Sequence, residues 1–84
     1  MKRVTLRYFA SIREAVGVGS EAMRTDAPTL AALRDELIAQ GGARAAALAR
    51  GKAVRVALDQ VMSEESAALA DGAEVAFFPP VTGG

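Results

Sequence analysis

The chain has 84 residues and a mass of 8.7 kDa, which is enough for one small domain and too little for a second core. Ten basic and ten acidic residues give a formal net charge of zero, so we expect no nucleic-acid partner. Of the 43 hydrophobic residues 19 are alanines, which predicts a small core padded with alanine.

The first strand is predicted over 2–9, where apolar and polar residues alternate. Val4, Leu6 and Tyr8 lie on its core face, and Phe9 lies on the other face with the charged residues. A helical turn over 11–16 follows, then a turn at 17–19 and a weakly alternating strand over 20–26.

The best-defined helix is predicted over 30–40. Thr29 is its N-cap, because the hydroxyl can accept a hydrogen bond from a free amide of the first turn. The core face comprises Leu30, Leu33, Leu37 and Ile38, while Arg34, Asp35 and Glu36 are expected to point away. The glycines at 41–42 end this helix in left-handed conformations, and a short alanine-rich helix over 43–49 follows.

The last third of the chain is again strand-like. A strand over 54–58 leads through a hairpin turn at 59–60 into a short strand at 61–62. A final strand over 73–78 is ended by Pro79 and Pro80. This order predicts an α+β roll of the β-grasp type, the architecture of ubiquitin, with a mixed sheet of four to five strands and one main helix on one face. We expect a domain over 1–78 and an extended tail over 79–84.

Little catalytic chemistry is available, because the chain has no cysteine and no histidine. The segment GVGSEA at 17–22 is expected to precede a strand rather than the long helix of a dinucleotide site. Gly51 and Lys52 lack the other residues of a P-loop. Glu64 and Glu65 are adjacent and diverge, so they are interpreted as solvated loop carboxylates.

The absence of cysteine also favours a reducing compartment for so small a domain. The first residues carry charges where a secretory signal would be apolar, and no stretch reaches the length of a membrane span. We therefore expect a cytoplasmic protein with no membrane partner.

An apolar patch is predicted on the face opposite the helix. Phe9 and Phe78 should both emerge there, with Met62 beside them, and burial of each ring against a partner would contribute roughly 1.5–3 kcal/mol. The alternative is a different register, which would hide both rings in the core.

The tail at 79–84 reads PPVTGG. The prolines keep it stiff, six residues reach at most ~20 Å, and glycines can thread a narrow channel. A terminal carboxylate is an anion and a poor electrophile, so it would need activation, for example by adenylation with ATP, before a sulfur or nitrogen nucleophile could attack. The catalysis would then belong to partners.

The ending FFPPVTGG at 77–84 resembles the small, sulfur-carrying subunits of molybdopterin synthases. The resemblance covers the whole chain and includes YFASIREAVG at 8–17, PT at 28–29, LR at 33–34 and DGAEVA at 71–76. Asp59 stands where Asn is common in that family, and Met62 stands where an aliphatic residue is common.

The resemblance implies that Gly84 is adenylated by an adenylyltransferase related to ubiquitin-activating enzymes and then converted to a thiocarboxylate with sulfur from a donor protein. Within the large subunit, the Gly84 thiocarboxylate would donate sulfur to cyclic pyranopterin monophosphate, and two donations would build the molybdopterin dithiolene. Family complexes are heterotetramers. ATP is used by the adenylating partner, and no cofactor is expected on this chain.

The resemblance also implies roles for individual residues. Gly83 and Gly84 form the reactive end, and the remaining partner-binding residues are Phe9, Met62, Phe78, Pro79, Pro80, Val81 and Thr82. Three alternatives remain: a sulfur carrier of thiamine biosynthesis, a ubiquitin-like modifier that joins Gly84 to lysines, and an interaction domain with an inert tail.

Overall fold

The N-terminal strand occupies a central place in a five-stranded mixed sheet. The computed structural model describes residues 1–80. The elements in chain order are β1 (Lys2–Tyr8), α1 (Ala10–Val16), β2 (Ser20–Thr25), α2 (Leu30–Ala39), α3 (Gly42–Leu48), β3 (Arg55–Leu58), β4 (Val61–Ser63) and β5 (Glu74–Phe78). The strand order is β2-β1-β5-β3-β4, in which only β1 and β5 run parallel. The predicted α+β roll is therefore confirmed.

The core lies between the sheet and α2. Its largest members are Tyr8, Phe77 and the leucines of β1, α2 and α3, all less than 2% exposed. The Tyr8 and Phe77 rings stack with centroids 6.1 Å apart, because β1 and β5 pair at these residues. The alternation of β1 thus buries the face predicted from the sequence.

Helix α2 begins and ends where the sequence predicts, within one residue. The Thr29 hydroxyl accepts a hydrogen bond from the Ala32 amide at 3.2 Å, which satisfies one of the free amides of the first turn. Gly41 and Gly42 have φ angles of 77° and 70°, a region that favours glycine, and they turn the chain into α3. None of the helices within residues 1–80 is long and apolar enough to cross a membrane.

The prediction that Arg34 points away from the core is wrong, since the residue is only 4% exposed. Its guanidinium donates hydrogen bonds to the carbonyl oxygens of Leu48 at 2.8 Å, Ala49 at 2.8 Å and Lys52 at 3.2 Å. The last carbonyl oxygens of a helix have no hydrogen-bond donor within the helix. The planar guanidinium of Arg34 supplies donors to them. Arg34 therefore anchors the end of α3 to α2.

Glu65 is not the solvated loop carboxylate that the sequence predicts, whereas Glu64 is exposed. Glu65 accepts a hydrogen bond from Arg34 at 2.8 Å and another from Arg50. Burial by itself would raise the pKa of Glu65, but the hydrogen bonds from Arg50 and Arg34 outweigh it and hold that pKa below its usual value. The ion pairs join the segment before β5 to α2.

The hairpin turn predicted at 59–60 is confirmed. Asp59 and Gln60 have φ angles of 50° and 70°, as a two-residue turn between twisted antiparallel strands requires. The Asp59 carboxylate accepts the backbone N–H of Glu74 at 2.9 Å, which ties the turn to β5. The turn therefore fixes the register of β3 and β4.

Candidate functional site

The helices leave one face of the sheet uncovered, and we call it the outer face. Strand pairing places the following residues on it: Arg3, Thr5 and Arg7 of β1, Ser20, Ala22 and Arg24 of β2, Arg55 and Ala57 of β3, Met62 of β4, and Glu74, Ala76 and Phe78 of β5. Phe9, one residue beyond β1, continues this face. Its residues come from all five strands.

Two aromatic rings pack against each other at one end of the outer face. Phe9 is 42% exposed, and its ring lies edge-to-face with the half-buried Phe78 at a centroid distance of 6.4 Å. The guanidinium of Arg7 lies 5.5 Å from the Phe9 ring centroid and 3.6 Å from a Glu74 carboxylate oxygen. These contacts fix the orientation of the rings. The alternative register, which hid both rings in the core, is excluded.

The third predicted residue, Met62, lies two strands away on the same face and is 53% exposed. Between it and the rings lie Ala57 and Ala76, which pair directly with each other. Ala57 is 7% exposed and Ala76 is 8% exposed, so the floor between Met62 and the rings is buried. Phe9, Phe78, Ala76, Ala57 and Met62 together form a shallow surface that we call the apolar patch.

The tail leaves the domain at the aromatic end of this patch. Strand β5 is hydrogen-bonded on both sides and ends at Phe78, after which Pro79 and Pro80 are half-buried. Pro79 borders a hollow of about 130 Å³, which is lined also by Ser11, Ile12, Ala15, Ala47, Lys52 and Ala53. The root of the tail thus lies beside a hollow bordered by α1 and the segment before β3. The predicted site residues Val81, Thr82, Gly83 and Gly84 lie outside the described residues.

A second polar cluster, which the sequence analysis missed, joins β1, β2 and α3. The Tyr8 hydroxyl donates to Glu21 at 2.6 Å, and Arg44 donates to the same carboxylate at 2.7 Å. The hydrogen bond from Arg44 holds the pKa of Glu21 below its usual value despite burial, while burial raises the pKa of Tyr8. A carboxylate so fully paired is a weak base, so the cluster holds structure together rather than moving protons.

Residues 1–80 contain no group of three carboxylates that could hold a metal ion. The described surface offers an apolar patch with the guanidinium of Arg7 against it and Pro79 and Pro80 beside it. Comparison with known proteins identifies the family. A sequence model of the ThiS family matches residues 6–84.

The chain belongs to the ThiS family. This ThiS-family chain is 43% identical over 81 residues to the molybdopterin synthase sulfur carrier subunit of Escherichia coli K12, covering 96% of the chain and 99% of the relative. It is 42% identical over 77 residues to the protein of the same name from Haemophilus influenzae. This match covers 92% of the chain and 94% of the relative. The family predicted from the ending at 77–84 is confirmed.

Solved structures confirm the β-grasp fold. The small archaeal modifier protein 1 of Haloferax volcanii superposes with a TM-score of 0.77 at 22% identity, covering 96% of the ThiS-family chain and all of the other. A second match is to the complex of subunits 1 and 2 of the molybdopterin-converting factor from Helicobacter pylori. The TM-score is 0.66 at 24% identity, and the match covers 98% of the ThiS-family chain and 99% of the other. Ubiquitin from Caldiarchaeum subterraneum superposes with a TM-score of 0.54 at 12% identity. This match covers 99% of the ThiS-family chain and 98% of the ubiquitin.

Proposed function

We propose that this chain is the sulfur carrier subunit of a molybdopterin synthase, with the sulfur carried on Gly84 and the catalysis performed by a large subunit. The observation that carries the proposal is the 43% identity to the Escherichia coli subunit of that name, over 96% of this chain. The family match also extends through Gly84. Since the chain has no cysteine and no histidine, it offers neither a thiol nucleophile nor an imidazole base.

The proposed chemistry takes place at the terminal carbonyl carbon. The Gly84 carboxylate attacks the α-phosphorus of ATP on a ubiquitin-activating-like adenylyltransferase, and pyrophosphate leaves. A persulfide on a donor protein then attacks the acyl adenylate through its terminal sulfur and expels AMP, which forms an acyl disulfide. A thiol reductant cleaves the S–S bond of this adduct, so that the thiocarboxylate leaves and the donor sulfur ends in a disulfide with that thiol. In the large subunit the thiocarboxylate sulfur is transferred to cyclic pyranopterin monophosphate, and hydrolysis returns Gly84 to a carboxylate. Two cycles supply the two sulfurs of the dithiolene.

The apolar patch is the proposed docking surface for the large subunit. It lies beside the root of the tail, so a partner that covers Phe9, Phe78 and Met62 also receives residues 79–84. Pro79, Pro80, Val81 and Thr82 form the stem that delivers Gly83 and Gly84. The Helicobacter pylori relative of this fold was solved as a complex of subunits 1 and 2, which supports such a pairing. We place the assembly, a heterotetramer, in the cytoplasm, as the cysteine-free composition favours.

The test of sulfur loading is intact-mass spectrometry of the chain after incubation with ATP, an adenylating enzyme and a sulfur donor. We expect a gain equal to the replacement of one oxygen by sulfur, and no gain for a variant that lacks Gly84. The loaded chain should then convert cyclic pyranopterin monophosphate to molybdopterin when the large subunit is added.

Three results would contradict the proposal. An unmodified mass, with an adenylating enzyme active on another carrier, would indicate an inert tail. Sulfur loading without molybdopterin formation would favour a thiamine-pathway carrier. Higher-mass conjugates, with no sulfur transfer to the pterin, would favour a protein modifier.

The test of docking is the substitution Phe9→Ala. Phe9 is 42% exposed and is not part of the buried core, so its loss should leave the fold intact. If the ring is a central contact, the substitution should cost about 2 kcal/mol of binding, or roughly a 30-fold higher Kd for the large subunit. Val61→Ala is the matched control, since Val61 is 65% exposed and, one residue before Met62 on β4, lies on the opposite face of the sheet. Equal affinities for the two variants would exclude Phe9 from the interface.

A further inference from the structure

We propose that Arg3 and Arg24 form a docking site for carboxylates on the large subunit, at the opposite end of the outer face from the aromatic rings. This inference rests on the proposed function, because it takes the large subunit as the partner. The site would accelerate the encounter of the two subunits and orient them before the tail enters.

The first observation is the strand register. Arg3 of β1 pairs directly with Arg24 of β2, and both side chains are exposed on the outer face. Directly opposite residues on one face have Cβ atoms about 5 Å apart, and like charges at such positions destabilise a sheet. The fold itself gains nothing from this pair.

The second observation is that neither guanidinium has an ion-pair partner within residues 1–80, whereas those of Arg7, Arg34, Arg44 and Arg50 all do. Two carboxylates at this end of the sheet make other contacts. Asp71 accepts the backbone N–H of Arg3 at 2.7 Å, and Asp26 lies 3.8 Å from the N-terminal amine. The two positive charges are thus available to a partner.

The charge of the whole outer face points in the same direction. Besides Arg3 and Arg24 it carries Arg7 and Arg55, and its only acidic strand residue is Glu74. The chain is neutral overall, so this face is locally basic while acidic residues are in excess elsewhere. A second copy of the same face would be repelled, and an acidic protein surface would be attracted.

The site lies on the same face of the sheet as the apolar patch. Arg3 precedes Phe9 by six residues, which is ~20 Å along an extended strand. An interface of standard size covers about 800 Å² on each partner, enough to reach from the rings to the arginine pair. The planar fork of arginine suits bidentate contact with carboxylates, so acidic side chains are the expected counterpart.

The experiment compares association kinetics with the large subunit at low and high salt. The double variant Arg3→Gln/Arg24→Gln lowers the charge of the outer face by two. Ala39→Glu/Ala43→Glu makes the same change in net charge at exposed positions on α2 and α3. We expect the arginine variant to associate about tenfold more slowly at low salt, with a smaller difference at high salt, and the alanine variant to retain most of the wild-type rate.

Folding does not confound this test, because the arginine variant removes a repulsion and should be at least as stable as the wild type. A wild-type rate and salt dependence for this variant would overturn the inference alone. Equal slowing of both variants would also overturn it, since net charge would then explain the effect. A wild-type chain that does not bind the large subunit would overturn the proposed function as well.

Discussion

Arg34 holds α2, the end of α3 and the segment before β5 together through one buried side chain. The sequence signal for this role was present in the helical periodicity. At about 100° per residue, Arg34 falls roughly 40° from Leu30, on the side occupied by Ile38 and within the apolar stripe. A charged side chain favours an exposed position, so the sequence predicts exposure for Arg34. No pattern in the sequence identified the carbonyls of α3 as its acceptors, because they come from a different element.

Loss of Arg34 should strongly destabilise the domain. Arg34→Met keeps the volume but leaves buried carbonyls without a donor and removes one partner of Glu65. We expect a loss of about 3 kcal/mol in the free energy of unfolding, measured by urea denaturation. Arg34→Lys should rescue little, because an ammonium cannot reproduce the fork of donors.

The control is Arg13→Met. Arg13 is exposed and has no ion pair within the described chain, so its substitution should change the stability by no more than about 0.5 kcal/mol. A similar small effect for Arg34→Met would show that the guanidinium network contributes little to the fold.

At the scale of elements, most of the fold followed from local patterns. Alternation identified β1 and β5, Thr29 and the paired glycines bounded α2, and the prolines ended β5. The turn at 59–60 was predicted from its position between two apolar segments, although Asp-Gln is not the usual sequence for positive φ angles. The length of α1 was underestimated, since a single turn was expected and the helix runs Ala10–Val16.

The hairpin turn gives a prediction at this scale. Gln60 adopts a φ of 70°, a left-handed conformation that costs a residue with a Cβ about 1–2 kcal/mol. Gln60→Gly should relieve this cost, although the greater entropy of glycine in the unfolded chain offsets part of the gain. We expect the variant to be more stable by up to about 1 kcal/mol in thermal or urea unfolding. Gln60→Ala retains the Cβ and should give no such gain. A destabilised glycine variant would contradict this account of the turn.

At the scale of the whole molecule, the sequence predicted the apolar patch but missed the contacts that join distant elements. Phe9, Met62 and Phe78 could be assigned to the outer face because the alternation of apolar and polar residues within a single strand is enough to assign each side chain to a face. The pairing of Arg3 with Arg24 depends on the register between β1 and β2, and these strands are separated by α1 rather than by a tight turn that fixes it. The cluster of Tyr8, Glu21 and Arg44 depends on the tertiary position of α3 in addition.

That cluster predicts how the stability of the molecule depends on pH. The pKa of Glu21 lies below its ordinary value of 4.5, chiefly because of the hydrogen bond from Arg44. The unfolded chain therefore takes up a proton at Glu21 before the folded chain does. Its contribution to stability is complete above pH 4.5 and is lost as pH falls through the lower pKa of the folded state.

The measurement is urea unfolding of the wild type and of Glu21→Gln from neutral pH down to about pH 3. We expect the variant to be less stable at neutral pH and its stability to fall less on acidification. Glu64→Gln, an exposed carboxylate with no ion pair within residues 1–80, is the control and should retain the wild-type profile. Parallel profiles for the wild type and Glu21→Gln would show that Glu21 titrates alike in the folded and unfolded chains.

The position of β5 has a mechanical consequence. The tail continues directly from a strand that is hydrogen-bonded to β1 on one side and to β3 on the other. A pull applied at Pro80 loads both hydrogen-bonded ladders together and cannot peel an edge strand from the sheet. The force is then shared across the middle of the domain, so the strand that carries Pro79 and Pro80 resists unravelling.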